Sequence, residues 1–514
     1  MRQQASAMWA EYRDSTAIRK AEDFAKFTIA SLMVDPLDKT HQAEVVEYDF
    51  QSAGAFLVNN LTAKLALTLF PPGRPSFQIE LDDTLQELAA ANGIDQSELH
   101  SRTADLERRA TRRLFVNASL SKLHRILKLL VVTGNALFYR EPGTGKMLVW
   151  TMQSYTVRRT SHGDPAVVVL RQQMPFRELT PEIQADAQAK QIAKRDSDKC
   201  DLYTVIEWQP TPNGKRCAVW HELEGKRVGP ESSYPAHLCP YVPVAWNVPD
   251  GEHYGRGYVE EYSGDFARLS ILSERLGLYE FEALSLLNLV DEAKGGAVDD
   301  YRDAETGDFV PGQVGSVASY ERGDYNKIAQ ASASVESIVM RLNRAFMYTG
   351  QVRDAERVTV EEIRTVAEEA ENLLGGVYSL LAETLQAPLA YLTMYEASRG
   401  NGGMLLGIAQ GVYRPSIITG IPALTRNIET ANILRATQEA SAIVPALVQL
   451  SKRFDPEKLV ERIFANNSVD LSTLSKDPDV VAAEAEQEAA LAQQQLDVAS
   501  GALAAETSAG VLTS

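Results

Sequence analysis

The sequence predicts a mixed α+β protein that is mainly helical. Three observations support this fold class. The stretch 359–388 has a helical start signal and an apolar face, the stretch 258–290 repeats apolar residues every seven positions, and the segment 136–246 has the short apolar runs of strands. We therefore expect a framework of long helices that carries one strand-rich part.

The N-terminal quarter of the chain is predicted to be helical. Helices are predicted over 8–32, 53–70, 97–117 and 120–133; the second ends at Pro71, Pro72 and Pro75, and the third is long and charged. From residue 136 onward, short runs separated by Gly, Pro, Asn and Asp predict strands and hairpins instead. These runs are 136–140, 148–152, 166–174, 203–209 and 217–221, with one helix inserted at 181–195.

A second long helix is predicted over 258–290, where an apolar stripe suits lengthwise packing on another helix. The stripe repeats every seven residues, at Tyr262, Leu269, Leu276, Ala283 and Val290. Its expected partner is a helix at 334–347 that Ser332 or Ser334 could cap. The Gly-rich segment 291–330 between them has nine acidic residues against four basic ones and predicts a small β element at the tip of this hairpin.

The best-marked helix begins at Thr359, after a charged loop at 348–358 that contains Gly350. Thr359 and Glu362 have the spacing of a capping box, in which each side chain bonds the other residue's backbone N–H. At about 1.5 Å per residue, a helix running to Pro388, where it is expected to end, would be about 44 Å long. Further helices are predicted at 427–449 and 456–466. The last 35 or so residues are predicted to form a solvated helix followed by a disordered tail.

Composition excludes several classes of protein. The 514 residues include 69 acidic against 51 basic ones, a formal net charge of −18, which argues against binding nucleic acid through bulk positive charge. The three cysteines, Cys200, Cys217 and Cys239, lack the spacing of a metal or redox site, so we expect reduced thiols and no metal. No apolar run is long enough for a signal peptide or a membrane span, and we expect neither.

Enzyme motifs are incomplete in this sequence. The run Gly143-Thr144-Gly145-Lys146 resembles part of a phosphate loop, but Arg140 replaces its first glycine and Met147 replaces the Ser or Thr that would bind magnesium. His221, followed by Glu222 and Glu224, lacks the second histidine of a zinc protease motif. We expect no catalytic residues, no cofactor and no enzymatic activity.

Four long motifs, in order, closely resemble portal proteins, the head-to-tail connectors of short-tailed, podovirus-type bacteriophages. They are DFQSAGAFLVNNLTAKLALTLFPPGRP (49–75), VVTGNALFYR (131–140), VPDGEHYGRGYVEEYSGD (248–265) and ERVTVEEIRTVAEEAENLLGGVYSLLAETLQAPL (356–389). The resemblance extends from about residue 49 to 466. It weakens toward both ends.

The resemblance implies the fold and domain order of a portal. The expected parts are a wing (1–252), a first stem helix (253–290), a β clip (291–330), a second stem helix (331–347), a channel, tunnel or valve loop (348–358), a long wing helix with its return (359–424), a helical crown (425–480) and a flexible tail (481–514).

The resemblance also implies a function. Portal subunits form a ring, usually of twelve copies, at one vertex of the capsid, and double-stranded DNA passes through its channel during packaging and ejection without being read for sequence. The implied partners are further copies of the chain, major capsid and scaffolding proteins, a terminase packaging ATPase, a tail adaptor and internal core proteins. The implied location is the virion, after assembly in the host bacterial cytoplasm.

Two sets of residues are candidates for functional contacts. In the channel loop, Arg353 and Arg357 would touch the DNA backbone, unless they pair with Asp354, Glu356 or a neighbouring subunit. At the clip, acidic residues would dock the packaging motor and later the tail, unless they only form a solvated turn. The clip candidates are Asp299, Asp300, Asp303, Glu305 and Asp308.

Two other classes of function stay open from sequence alone. One is a monomeric helical adaptor or scaffold. The other is a nucleotide-dependent or hydrolytic enzyme built on the strand-rich region 136–246.

Overall fold

The computed structural model describes most of the first 423 residues. The described residues are 4–34, 49–70, 77–81, 96–115, 119–192, 195–212, 214–284, 286–295, 297–321, 324–348, 376, 380–399, 408 and 413–417. The chain forms two compact units, 1–423 and 424–514, and all described residues belong to the first. The helices predicted at 427–449 and 456–466, the crown and the tail lie outside the described residues.

The N-terminal segment forms two helices, α1 (Ala5–Tyr12) and α2 (Ser15–Phe27). The prediction of one continuous helix over 8–32 is wrong because Asp14 caps the second helix. Its side chain accepts hydrogen bonds from the backbone N–H groups of Thr16 and Ala17 at 2.9 and 3.0 Å, an arrangement that begins a helix.

Three longer helices follow, as predicted: α3 (Ala53–Leu69), α4 (Gln96–Leu114) and α5 (Ser119–Thr133). Helices α3 and α5 pack on each other in the largest hydrophobic core. Leucines spaced three or four apart carry this contact because they lie on one helical face. They are Leu57, Leu61, Leu65, Leu69, Leu123, Leu127 and Leu130, and all are fully buried.

The strand-rich part contains two antiparallel sheets. The first has the strand order β3 (Met147–Trp150), β2 (Asn135–Arg140), β9 (Tyr241–Ala245). The second is a five-stranded meander in sequence order. Its strands are β4 (Tyr155–Arg159), β5 (Pro165–Pro175), β6 (Lys199–Thr211), β7 (Gly214–Leu223) and β8 (Lys226–Pro235), with helix α6 (Pro181–Ala189) between β5 and β6. The predicted strands and the inserted helix are confirmed.

The predicted helical hairpin is present with different ends. One turn of helix, α7 (Tyr258–Glu261), leads into α8 (Ser263–Ala283), and α10 (Tyr325–Ala345) is the return helix. Between them lie strand β10 (Leu286–Val290), one turn of helix, α9 (Val298–Arg302), and strand β11 (Val317–Glu321).

Two boundaries of the sequence prediction are therefore wrong. The first helix does not continue to Val290, because β10 pairs antiparallel with β11 from Leu286 opposite Glu321 to Val290 opposite Val317. The second helix does not begin at 331–334. It begins about two turns earlier, where the Asp324 side chain accepts a hydrogen bond from the Asn326 N–H at 3.0 Å.

The last described elements contact the N-terminal part of the chain. A π-helical turn (Ala382–Gln386) leads into α11 (Ala387–Ala397), and β12 (Tyr413–Ile417) pairs with β1 (Phe77–Leu81). The prediction that the helix ends at Pro388 is wrong. Pro388 lies in the first turn of α11, where its missing N–H matters little, and the wider turn before it is closed by the Ala387 N–H bonding to the Ala382 carbonyl.

Candidate functional site

The hairpin of α8 and α10 is the feature that the rest of the candidate site depends on. The two helices run antiparallel: Asp265 near the start of α8 pairs with Arg341 near the end of α10 at 2.6 Å, and Tyr279 near the end of α8 meets the start of α10. Phe266 and Leu269 pack with Ile338 and other apolar residues of α10 in the main core. The predicted pairing of these helices is confirmed.

A cluster of aromatic rings holds the root of the hairpin in the main hydrophobic core. Phe346, just after α10, is fully buried, and its ring lies 5.2, 5.7 and 5.6 Å from those of Tyr258, Tyr262 and Phe266, each in an edge-to-face arrangement. The Tyr258 hydroxyl donates to the Ala345 carbonyl at 2.9 Å. Burial raises the pKa of Tyr258 well above its usual value, so this hydroxyl keeps its proton and its role as donor.

Helix α3 holds the point where the predicted channel loop begins. The Asn60 side chain donates to the Phe346 carbonyl at 3.0 Å, and the Lys64 ammonium donates to the Met347 carbonyl. Phe56 of the same helix packs edge-to-face on Tyr348, with ring centroids 4.8 Å apart. The three residues recur at intervals of four, so one face of α3 contacts residues 346–348, which follow α10.

Sequence reasoning missed these α3 residues. They lie in the first motif that carries the family resemblance (49–75), but nothing in their local pattern indicates a partner almost 290 residues away. The predicted loop residues Arg353 and Arg357 and the capping pair Thr359 and Glu362 lie outside the described residues, so the structure places only the start of the loop.

The acidic tip carries the predicted clip residues, and they are not equivalent. Asp300 and Asp308 accept hydrogen bonds from the backbone N–H groups of Ala297 and Glu305 at 2.9 and 2.7 Å, so they shape the tip itself. Asp299 and Asp303 both form ion pairs with the Arg302 guanidinium, with N–O distances of 2.7 and 3.2 Å, and their side chains remain more than two-thirds exposed. Glu305 is exposed as well.

The hairpin exposes several large apolar side chains. Ile271 and Leu278 of α8 are 58% and 55% exposed, Leu284 after α8 is 79% exposed, and Met340 of α10 is 56% exposed. Because covering large apolar side chains is favourable, these residues are candidates for contacts with another protein.

Two of the motifs that carry the resemblance meet at the base of the hairpin. Gly134, at the turn between α5 and β2, has a φ of +75°, and a Cβ there would lie 2.4 Å from the Arg256 carbonyl carbon. Next to it, the Asn135 side-chain amide exchanges two 2.7 Å hydrogen bonds with the backbone of Gly255. Glycine at these positions lets the two backbones touch.

The segment that resembles a phosphate loop is the turn of a β hairpin. Gly143 and Gly145, both with positive φ, join β2 to β3, and no helix follows them as one would in a phosphate-binding turn. Arg140 at the end of β2 is fully buried and makes a two-pronged ion pair with Glu396 of α11, at 2.7 and 2.9 Å. Arg140 therefore anchors α11 to the sheet.

The other suspected catalytic residues have structural contacts. His221 shares a 3.0 Å hydrogen bond with the Thr204 hydroxyl, and burial lowers its pKa. Glu222 points the other way and accepts the Ala5 N–H with both oxygens, at 3.1 and 3.0 Å. In the described part of the chain, His, Cys, Asp and Glu side chains form no cluster of three or more that could hold a metal ion.

The three cysteines form no disulfide bonds in the structure. Cys200, Cys217 and Cys239 are all buried and unbridged, and burial raises the pKa of the Cys239 thiol. Among the helices within the described ranges, none combines the length and the hydropathy needed to cross a membrane.

Comparison with known proteins identifies the family. The model of the bacteriophage head to tail connecting protein family matches residues 1–474. The portal protein of Pseudomonas phage phiKMV is 47% identical over 494 residues, which cover 96% of each chain. The portal protein of Escherichia phage T7 is 31% identical over 437 residues, which cover 83% of this chain and 79% of the relative.

Among solved structures, the neck of an empty gene transfer agent particle is similar at 12% identity and a TM-score of 0.37, covering 82% of this chain and 90% of that one. The family match covers most of the chain and includes all four motifs, the hairpin and the acidic tip. The chain therefore belongs to the bacteriophage head-to-tail connecting proteins, the family of the portal proteins.

Proposed function

We propose that this chain is the subunit of a portal ring at one vertex of a phage capsid. The observation that carries the proposal is the hairpin of α8 and α10. Phe266, Leu269 and Ile338 are packed in the core, while Ile271, Leu278 and Met340 are exposed apolar side chains that identical neighbours can cover. Head-to-tail contacts of this kind close into a ring when the rotation between neighbours divides a full turn.

Aspartates at these exposed positions test the ring. Replacing Ile271 and Leu278 with Asp should leave each subunit folded, because both side chains are exposed, and should convert rings into single subunits in native mass spectrometry. Leu120→Asp, at an exposed position in the first turn of α5, is the matched control, since an acidic residue is favourable at a helix start. Intact rings in the double variant would rule out these residues as the subunit contact.

The ring would serve as the conduit for double-stranded DNA. We infer that the channel loop follows Tyr348 and that Arg353 and Arg357 contact phosphates from it without reading bases. The firm attachment of Phe346 and Met347 to α3 supports this, because a fixed base lets a short loop hold its position. The competing interpretation, that the arginines pair with Asp354, Glu356 or a neighbour, predicts no role in holding DNA.

Removing the two arginines separates these interpretations. Arg353→Ala with Arg357→Ala should leave rings intact and lower the fraction of packaged DNA that particles retain. Arg177→Ala with Arg195→Ala, at exposed wing positions, removes the same charge and should retain DNA normally. If both double variants retain DNA equally, the loop arginines do not hold it.

The exposed tip would dock the packaging motor and later the tail adaptor. Asp299, Asp303 and Glu305 are the residues we assign to docking, while Asp300 and Asp308 maintain the tip. Changing the first three to Asn, Asn and Gln should weaken binding of the packaging ATPase to immobilised rings and reduce its dependence on salt. Unchanged affinity and salt dependence would leave these acids as solvated residues.

The remaining parts follow from the family. We propose a stem of residues 258–283 and 325–345, a clip between them, a wing before the stem, and a long wing helix and crown after it. Major capsid, scaffolding and internal core proteins would contact the ring in the virion, assembled in the host cytoplasm. The energy for packaging would come from the separate ATPase, so purified rings should not hydrolyse ATP.

A further inference from the structure

A groove in the strand-rich part of the chain has the chemistry of a binding site. It is a cavity of about 610 Å³ between the three-stranded sheet and the five-stranded sheet, closed at one end by the start of α6. A volume of this size is typical of sites that hold a few side chains. We call it the aromatic groove, after Tyr139, Trp150, Tyr234 and Tyr241, which line it.

The aromatic rings are preorganised. Tyr139 and Tyr241 are opposite each other on β2 and β9, with ring centroids 4.5 Å apart, and the Trp150 ring is stacked 6.4 Å from Tyr241. All four aromatic residues are only half-buried, so ring surface remains open to the cavity. Such surfaces attract flat or cationic side chains.

The charged side chains that line the groove are all negative. The charged groups among its described lining residues are Glu141, Glu178 and Glu182, and no Lys or Arg is among them. His221 also lines the groove, but burial lowers its pKa, so it is neutral at pH 7 and does not offset the glutamates. Burial first, and then the negative charge of the Glu141 carboxylate, raises the pKa of Tyr139 to about 12. Glu141 and Tyr139 line the same cavity.

We propose that the aromatic groove binds a basic segment of a partner protein. Arginine or lysine side chains of that segment would lie on the tyrosine and tryptophan rings, with their charge balanced by Glu141, Glu178 and Glu182. Nucleic acid does not fit, since the acidic rim repels phosphates. The residues that line the groove lie between positions 139 and 241, so none of them belongs to the predicted channel loop or to the acidic tip.

The test uses two short fluorescent peptides and the intact ring. One peptide has a leucine with one arginine on each side of it, and the other has glutamine in place of both arginines. In fluorescence anisotropy, the arginine peptide should bind at least about tenfold more tightly, and added salt should reduce the difference.

Matched ring variants locate the binding. Glu141→Gln with Glu178→Gln and Glu182→Gln should weaken binding of the arginine peptide by about tenfold, since three partly exposed charge contacts are lost. Trp150→Leu should weaken it while keeping an apolar side chain. The control, Asp23→Asn with Asp196→Asn and Asp250→Asn, removes three exposed charges elsewhere and should bind as the parent does.

Several results would overturn the proposal. These are equal binding of the two peptides, or equal affinity of the parent and the triple glutamine variant at an unchanged melting temperature. Binding to dissociated subunits with none to the ring would also overturn it, because the groove would then be filled by a second copy of the chain.

Discussion

Truncating Phe346 should loosen the root of the hairpin of α8 and α10 and with it the start of the predicted channel loop. The side chain is fully buried and meets three aromatic rings within 5.2 to 5.7 Å. Phe to Ala changes in packed cores cost about 3–5 kcal/mol, and the edge-to-face contacts place this site toward the upper end. We expect Phe346→Ala to lose about 4 kcal/mol of local stability.

Native-state hydrogen exchange measures this loss directly. At about 1.4 kcal/mol per factor of ten, the amides of residues 338–348 should exchange roughly 10²- to 10⁴-fold faster in Phe346→Ala rings. Peptides from the far end of α8 (276–283) act as an internal reference and should change little. Arg344→Ala, an exposed change in the last turn of α10, should accelerate exchange by less than about fivefold.

The result that would refute this reasoning is specific. If exchange in residues 338–348 rises by less than about tenfold in Phe346→Ala rings, the aromatic cluster does not hold the hairpin root. An equal rise throughout α8 and α10 would also count against it, since the hairpin would then open as one unit without a distinct anchor.

Three further predictions concern the buried Arg140–Glu396 ion pair, His221 and the N-terminal cap of α10. Arg140→Met should lower the free energy of unfolding by about 3–5 kcal/mol because it leaves the Glu396 carboxylate buried without its partner. The double variant Arg140→Met with Glu396→Met should recover most of this loss in chemical denaturation. A double variant as unstable as the single one would contradict the role of the buried ion pair. Burial lowers the folded-state pKa of His221, so the neutral histidine contributes its full stability above the ordinary histidine pKa of about 6.5. As pH falls below that value, the free energy of unfolding should decrease by at most about 1.4 kcal/mol per pH unit. His221→Gln should reduce that slope in urea unfolding, and an unchanged slope would show that the histidine does not titrate differently on folding. Asp324→Ala should cost about 1 kcal/mol and speed exchange in the first turn of α10, while Asp324→Asn should not; equal exchange in all three proteins would exclude a capping role.

Sequence periodicity predicted the elements whose apolar residues face one side. Helices α3 and α5 and the strands of the three-stranded and five-stranded sheets follow their sequence patterns closely because each buries apolar residues in the core. The hairpin pairing was predicted for the same reason. Here local pattern and tertiary contact agree.

The errors occur where a distant partner decides the structure. Residues 286–290 continue an apolar spacing that suits a helix, but pairing with 317–321 makes them a strand. The first two turns of α10 contain mostly polar and small residues, so only the Asp324 cap marks its start. At Pro388 a π-helical turn accommodates a residue that usually ends a helix.

The candidate site was predicted only in part. The acidic residues of the tip could be chosen from composition, but their division into those that shape the backbone and those that remain exposed depends on turn geometry. The contacts of Asn60 and Lys64 with the start of the loop join segments that sequence patterns cannot relate. The aromatic groove was missed for the same reason, since its rings come from separate strands.

The mass and symmetry of the purified protein test the central claim most directly. Native mass spectrometry, with electron micrographs viewed end-on, should give closed rings of about twelve subunits around a central hole. A monomer or dimer at micromolar concentration, with no rings at any salt concentration, would contradict the portal function and favour a monomeric adaptor.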